Sequence, residues 1–367
     1  MRFFVTFAAV SACLTSASQI PLVDTSSTNT TVSSTVFAEL EELSRIVDIS
    51  YCVGTAGTGI SKPFTCLSRC SGFPSFELIT TWNTGPLLSD SCGYLALSHA
   101  PAEKRIIVAF RGTYSLANTV LDLATVKQEY VPYPGSDDKA DQKCDDCTAH
   151  MGFMRAWELT KDIVMPHIIA LRASHPGYKL VLVGHSLGGA VAAFAGLDLE
   201  NRGWKPTVTT FGEPRIGNDK LAAYFGRRFE LNDTRQGDAG SRYRRVTHVD
   251  DPVPLLPLSE WGYTPHAGEI FITKSNLSPE VGDLRYCDGG ADKECIAGQD
   301  DSLASVLENP VDGEKGVSLS ESVKAMAHES RTGFGFPSRY KLWQLLFAHR
   351  DYFWRLGLCV PELHPEL

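Results

Sequence analysis

Apolar and polar residues along this chain follow two different spacings. Short runs rich in Val, Ile, Leu, Phe and Thr occur at Gly93–Ser98, Arg105–Phe110, Lys179–Val183, Thr207–Phe211, Arg244–Val249 and Glu269–Thr273. Their length and β-branched content predict strands. Longer stretches with helical spacing occupy Phe153–Arg172, Ser186–Asn201, Lys220–Phe229 and Tyr340–Phe347. Another helix near the start places Phe37, Leu40, Leu43 and Val47 on one face. This alternation of strand and helix predicts an α/β fold, a single domain with a central mixed, mainly parallel sheet flanked by helices. The sequence shows no internal repeat.

Three stretches break the pattern. Arg2, the apolar run from Phe3 to Leu14 and the small-x-small triplet Ser16-Ala17-Ser18 have the form of a secretory signal spanning residues 1–18. The apolar run is too short to cross a bilayer, so no stable membrane insertion is expected. Residues 19–35, rich in Ser and Thr from Asp24 onward, read as a leader or propeptide. The folded domain is then 36–367. Within it, residues 296–338 are polar and loop-like, long for a connection in a compact core. They read as a surface insertion, with a flap over a site as the alternative.

The formal charge of −9 disfavours nucleic acid and anionic membranes as partners, and leaves an uncharged ester interface open. Secretion also changes the meaning of the cysteines, because an oxidising compartment favours disulfides. Cys13 departs with the signal. The close spacings pair Cys66 with Cys70, Cys144 with Cys147 and Cys287 with Cys295, and Cys52 with Cys359 would then tie the ends of the domain. Cys92 is left as a buried thiol. Zinc at Cys144-x-x-Cys147 is the alternative for that pair, without a second pair at suitable spacing. Sequons at Asn29, Asn232 and Asn276 permit glycosylation.

The chemistry concentrates at the end of the run Lys179–Val183, where Gly184-His185-Ser186-Leu187-Gly188 opens a helix of small residues. A Gly-x-Ser-x-Gly at a strand-to-helix turn is a nucleophile elbow, and in folds that carry one the order is Ser, then an acid, then His. The helix start beneath Ser186 supplies free N–H groups for a developing oxyanion. The best-placed acids are Asp250 and Asp251, after a strand and before Pro252 and Pro254, with Glu213 a weaker candidate or a structural hydrogen-bonding group. The downstream histidines are His248, His266, His328, His349 and His364. His349 follows an apolar helix and precedes Cys359 by ten residues, so it has the support that a catalytic imidazole needs. His185 adjoins the serine, but the backbone turn points it elsewhere.

These features resemble the fungal class 3 lipases, a secreted family that also contains feruloyl esterases. The resemblance runs from about Tyr51 to Cys359 and rests on Phe110-Arg111-Gly112-Thr113, His150-x-Gly152-Phe153, Gly184 to Gly189, Phe211 to Asn218, Asp251-Pro252-Val253-Pro254 and His349-x-x-Tyr352-Phe353. It implies an α/β-hydrolase with the triad Ser186, Asp251 and His349, and so selects Asp251 over Asp250. It also implies an oxyanion hole from Thr113 and the N–H of Leu187, and the four disulfides resemble family bridges. The family pattern places a lid after the oxyanion residue, here residues 114–125. Leu116, Val120, Leu121 and Leu123 would form its apolar stripe, without the tryptophan seen in several relatives. The expected activity is that of a secreted triacylglycerol lipase, with a feruloyl or other carbohydrate-ester esterase as the alternative. The expected partner is a lipid or ester substrate at an oil–water interface, for a monomer that uses neither cofactor nor metal.

Overall fold

The computed structural model describes residues 30–54, 59–85, 90–113, 127–131, 143–231, 240–299 and 347–361. The signal segment, Asn29, Asn232, His328, His364, the lid segment 114–125 and all but the first four residues of 296–338 lie outside them.

Among the described residues the chain forms one eight-stranded sheet in the order β1-β2-β3-β6-β7-β8-β9-β10. The strands are β1 (Phe76–Asn83), β2 (Cys92–Ser98), β3 (Arg105–Arg111), β6 (Lys179–His185), β7 (Thr207–Phe211), β8 (Tyr243–His248), β9 (Glu269–Ile272) and β10 (Leu284–Tyr286). From β3 through β6, β7 and β8 to β9 the pairing is parallel, and β1, β2 and β10 join antiparallel at the two margins. A small separate ribbon pairs β4 (Lys127–Glu129) with β5 (Thr148–His150). The fold class is therefore as the sequence predicts.

The central strands are apolar on both faces because both faces are covered. Ile106, Val108, Phe110, Leu180 and Leu182 face one core, with helices α2 (Met151–Ser174), α3 (Leu187–Asn201) and α4 (Asp219–Phe229). Ile107, Ala109, Val181 and Val183 face the other, with helix α1 (Ser34–Ile49) and the C-terminal residues Tyr352, Phe353 and Leu356. Helix α3 is buried along its whole length. Its small residues let it approach the sheet: a Cβ on Gly196 would come within 2.7 Å of the Val208 side chain.

Several boundaries differ from the sequence reading. Helix α1 begins at Ser34, with the Ser33 hydroxyl accepting from Val36 N–H as its cap. Val32 is buried, and Thr31 bridges to Arg285 beside β10. Residues 30–35 thus belong to the folded body, and the boundary after residue 35 falls inside it. Strands β1 and β10 escaped the sequence pattern: β1 carries Glu, Thr and Asn with a register shift at Leu78/Thr80, and β10 has only three residues. Ile296–Gln299 forms a buried-edged 3-10 turn, its Ile296 N–H donating to Glu269.

Cys52 is bonded to Cys359, Cys66 to Cys70, Cys144 to Cys147 and Cys287 to Cys295. Cys92 is a buried free thiol on β2. Asn276 is exposed on the connection from β9 to β10.

Candidate functional site

Strands β3, β6, β7 and β8 are neighbours and parallel, so the segments that leave their carboxyl ends meet along one edge. Those segments are Gly112-Thr113, Ser186, Gly212-Glu213 and Asp250-Asp251. The motifs that are scattered in sequence are therefore consecutive in space.

Ser186 sits between β6 and α3 with φ 59° and ψ −131°, a conformation that ordinary side chains seldom adopt. Steric crowding explains both glycines of its motif. A Cβ on Gly184 would strike the Gly188 carbonyl, and one on Gly188 would strike the Phe110 carbonyl and approach the Arg111 carbonyl carbon to 2.7 Å. The Ser186 N–H donates to the Phe211 carbonyl at 2.9 Å, which ties the elbow to β7. Leu187 opens α3, so its N–H has no intrahelical acceptor. Thr113 is half-buried, and Gly112 before it runs against the elbow: a Cβ there would come within 2.8 Å of Ser186 Cβ.

The buried Asp251 carboxylate is held on several sides. Oδ1 accepts from Val253 N–H at 2.9 Å and Oδ2 from the Tyr352 hydroxyl at 2.5 Å. Both oxygens face His349 Nδ1, at 2.9 and 3.0 Å. Burial by itself pushes the carboxyl up, yet the His349 imidazole, its hydrogen bond, and the Tyr352 and Val253 donors hold it below the usual aspartate value. An ionised carboxylate only accepts, so the proton is on His349 Nδ1 and Nε2 keeps its lone pair. Asp250 points out instead and accepts from Ser275.

His349 is fully buried. Gly212, at φ 60°, faces its ring: a Cβ there would lie 2.8 Å from Cε1 and from the Tyr352 hydroxyl. Ser186 and His349 thus flank the same dipeptide, Phe211-Gly212. Among the described residues, Ser186 Oγ and His349 Nε2 are buried with no hydrogen-bond partner. Those are the two atoms between which a serine hydrolase moves its first proton.

The remaining candidates have other surroundings. Glu213 accepts from Thr210 (2.6 Å), Tyr243 (2.6 Å) and His266 (2.8 Å), which accounts for both oxygens. Burial raises its carboxyl, and the His266 charge with these donors brings it below the ordinary glutamate value. It is a structural group, as is its partner His266. His248 ends β8, with its ring against Tyr352. Glu269, Cys287 and Cys295 come together as potential metal ligands, but the two sulfurs are joined to each other. Two further residues at the site were not singled out from the sequence for a role. Tyr352 was visible only as part of a motif, and Tyr51 reaches His185 from 134 residues away.

A nucleophile elbow on a mainly parallel sheet, with a buried Asp–His pair beside it, defines a serine hydrolase of the α/β-hydrolase class. Comparison with known proteins is narrower. The family model for lipase (class 3) matches residues 107–261. A protein of Gibberella zeae named secreted mono- and diacylglycerol lipase 2 is 53% identical over 349 residues, covering 90% of this chain and 83% of that one. Lipase A of Sodiomyces alcalophilus is 50% identical over 357 residues, covering 91% and 84%. The crystal structure of Lip2 lipase from Yarrowia lipolytica superposes with a TM-score of 0.70 at 27% identity, over 90% of this chain and 97% of that one. The chain belongs to the class 3 lipase family, and it is a secreted carboxylic ester hydrolase.

Proposed function

We propose that Ser186, His349 and Asp251 form the catalytic triad, and that the protein hydrolyses acylglycerol esters, triacylglycerols among them, at an oil–water interface. The observation that carries this is the Asp251-fixed tautomer of His349, whose buried Nε2, like the buried Ser186 hydroxyl across Phe211-Gly212, has no hydrogen-bond partner.

Ser186 Oγ attacks the ester carbonyl carbon while His349 Nε2 takes its proton. Asp251 stabilises the imidazolium that results. The oxyanion forms against the N–H of Leu187 and the Thr113 residue, donors whose individual loss typically lowers the rate by ~10²–10³. Collapse breaks the ester bond, and His349 returns the proton to the departing alcohol. Water then repeats the sequence on the acyl-enzyme, releasing the fatty acid and restoring Ser186.

A second reading, that mono- and diacylglycerols are preferred over triacylglycerols, is favoured by the name of the 53%-identical relative. Initial rates on emulsified mono-, di- and triacylglycerols of one acyl chain decide between them. No helix among the described residues is long and apolar enough to cross a membrane. The formal charge of −9 disfavours nucleic acid as a partner and is compatible with an uncharged ester interface.

Ser186→Ala should lower kcat by at least ~10⁴-fold on emulsion and soluble ester alike and abolish labelling by a serine-directed phosphonate. Undiminished turnover in this variant refutes the triad.

A further inference from the structure

The residue between the first glycine and the serine of the elbow is a histidine, and its environment is too specific for a spacer. His185 is buried, with its ring stacked on that of His349 at 4.7 Å between centroids. Its Nε2 lies 2.8 Å from the His349 backbone carbonyl. A carbonyl only accepts, so Nε2 carries the proton and Nδ1 keeps a lone pair. The Tyr51 hydroxyl, 2.5 Å from Nδ1, is then the donor. The whole relay has one direction: Tyr51 O–H to His185 Nδ1, and His185 Nε2–H to the His349 carbonyl.

Tyr51 also touches two further segments around the site. Its hydroxyl packs against Gly112, the residue before Thr113. Its ring carries Gly357, whose Cβ would lie 3.2 Å from it. Gly357 N–H is in turn held by Asp48 at 2.7 Å, and Cys52 next to Tyr51 is bonded to Cys359. One phenol therefore contacts the oxyanion segment, the elbow and the segment that bears the base.

We propose that Tyr51 and His185 are positioning residues for this hydrolase: Tyr51 fixes the His185 tautomer, and His185 in turn holds the backbone of the catalytic His349 in register with Ser186. A neutral His185 is also what the stacking requires, because the facing His349 ring must become positively charged during turnover. Burial supplies that neutrality, together with the charge that His349 itself acquires, by holding His185 down to about 3. The proposal rests on the triad assignment above. It adds two residues that do not touch the ester.

The test is a double-mutant cycle on a short, soluble ester. Tyr51→Phe removes one oxygen and keeps the ring under Gly357. It should lower kcat about tenfold, the scale of one hydrogen bond, with KM unchanged. His185→Leu should cost more than that, and His185→Gln, which keeps a donor for the His349 carbonyl, should recover much of the loss. The decisive result is non-additivity: adding Tyr51→Phe to His185→Leu should cost nothing further, because its partner is already gone. Active-site titration with a phosphonate normalises every rate to folded enzyme, and Tyr51→Phe with His185→Gln supplies a second cycle if the leucine variant does not accumulate. Wild-type kcat in Tyr51→Phe, or losses that multiply in the double variant, overturn the proposal. If Ser186→Ala is inert while Tyr51→Phe is unaffected, the triad stands and this inference alone fails.

Discussion

Gly212 is the position where a single methyl group would strike the His349 ring. Its φ of 60° already disfavours any other residue, and an added Cβ would lie 2.8 Å from His349 Cε1 and 3.0 Å from Nδ1. The imidazole cannot retreat, because Asp251 holds one side and His185 lies stacked on its face. Gly212→Ala should therefore displace His349 and lower kcat by about 10²-fold, with a stability loss of about 1–2 kcal/mol measurable by urea unfolding. Asp251→Asn tests the tautomer itself. An amide can donate to Nδ1, which would move the imidazole proton to Nε2 and remove the base. The expected outcome is a kcat about 10³–10⁴ lower in a protein that still folds, read by steady-state kinetics alongside circular dichroism. A variant with both normal folding and normal kcat would mean that His349 is oriented by something other than Asp251.

The elements that carry these residues are joined at both ends of the chain. Cys52 follows α1, and Cys359 closes the segment that begins at His349, so their bond spans 307 residues. In the chain-entropy model a loop of that length is worth roughly 5–6 kcal/mol, and measured gains are commonly smaller. Cys52→Ser with Cys359→Ser should therefore lower stability by about 2–5 kcal/mol and depress kcat at a temperature where the protein remains folded. Loss of stability with no change in kcat would show that the Asp48 and His185 contacts hold the His349 segment alone. How much of this was legible follows from distance along the chain. The elbow is a local device, with strand, tight turn and small-residue helix all within Lys179–Asn201, and its function is readable from adjacent residues. The local pattern narrowed the acid to the dipeptide Asp250-Asp251 and the family resemblance selected Asp251; in the structure burial separates the two, with Asp251 buried and Asp250 exposed. The Tyr51–His185 and Glu213–His266 contacts link positions 134 and 53 residues apart, and nothing in the local pattern of either partner announces the other. Strands β1 and β10 were missed for a related reason. They lie at the sheet margins, where polar side chains are tolerated and the apolar signal fades.

Over the whole molecule, the buried titratable groups give the stability a direction with pH. His185 is held down to about 3 by burial and the neighbouring His349. A histidine in the unfolded chain titrates at about 6.5, so between these values the unfolded state binds a proton that the native state refuses. Stability must then fall as the pH drops from about 6.5 toward about 3. His248, also lowered by burial, acts with the same sign. Asp251 and Glu213 lie below their ordinary values, so what they contribute is lost only at more acid pH, as each is protonated. Asp48 runs the other way, because burial raises it and its ionisation costs stability as pH increases above the usual aspartate range. The acid side of the stability curve should thus begin to fall before Asp251 or Glu213 titrates. Between pH 7.5 and pH 5 the His185 contribution alone is about 2 kcal/mol. Urea unfolding of the wild type at the two pH values should show a loss, and His185→Gln, which has no proton to take up, should show a loss smaller by about that amount. Equal losses in the two proteins would mean that His185 is protonated in the native state. A cation would then lie stacked on the ring proposed to receive the serine proton, and the proposed neutral relay from Tyr51 could not operate.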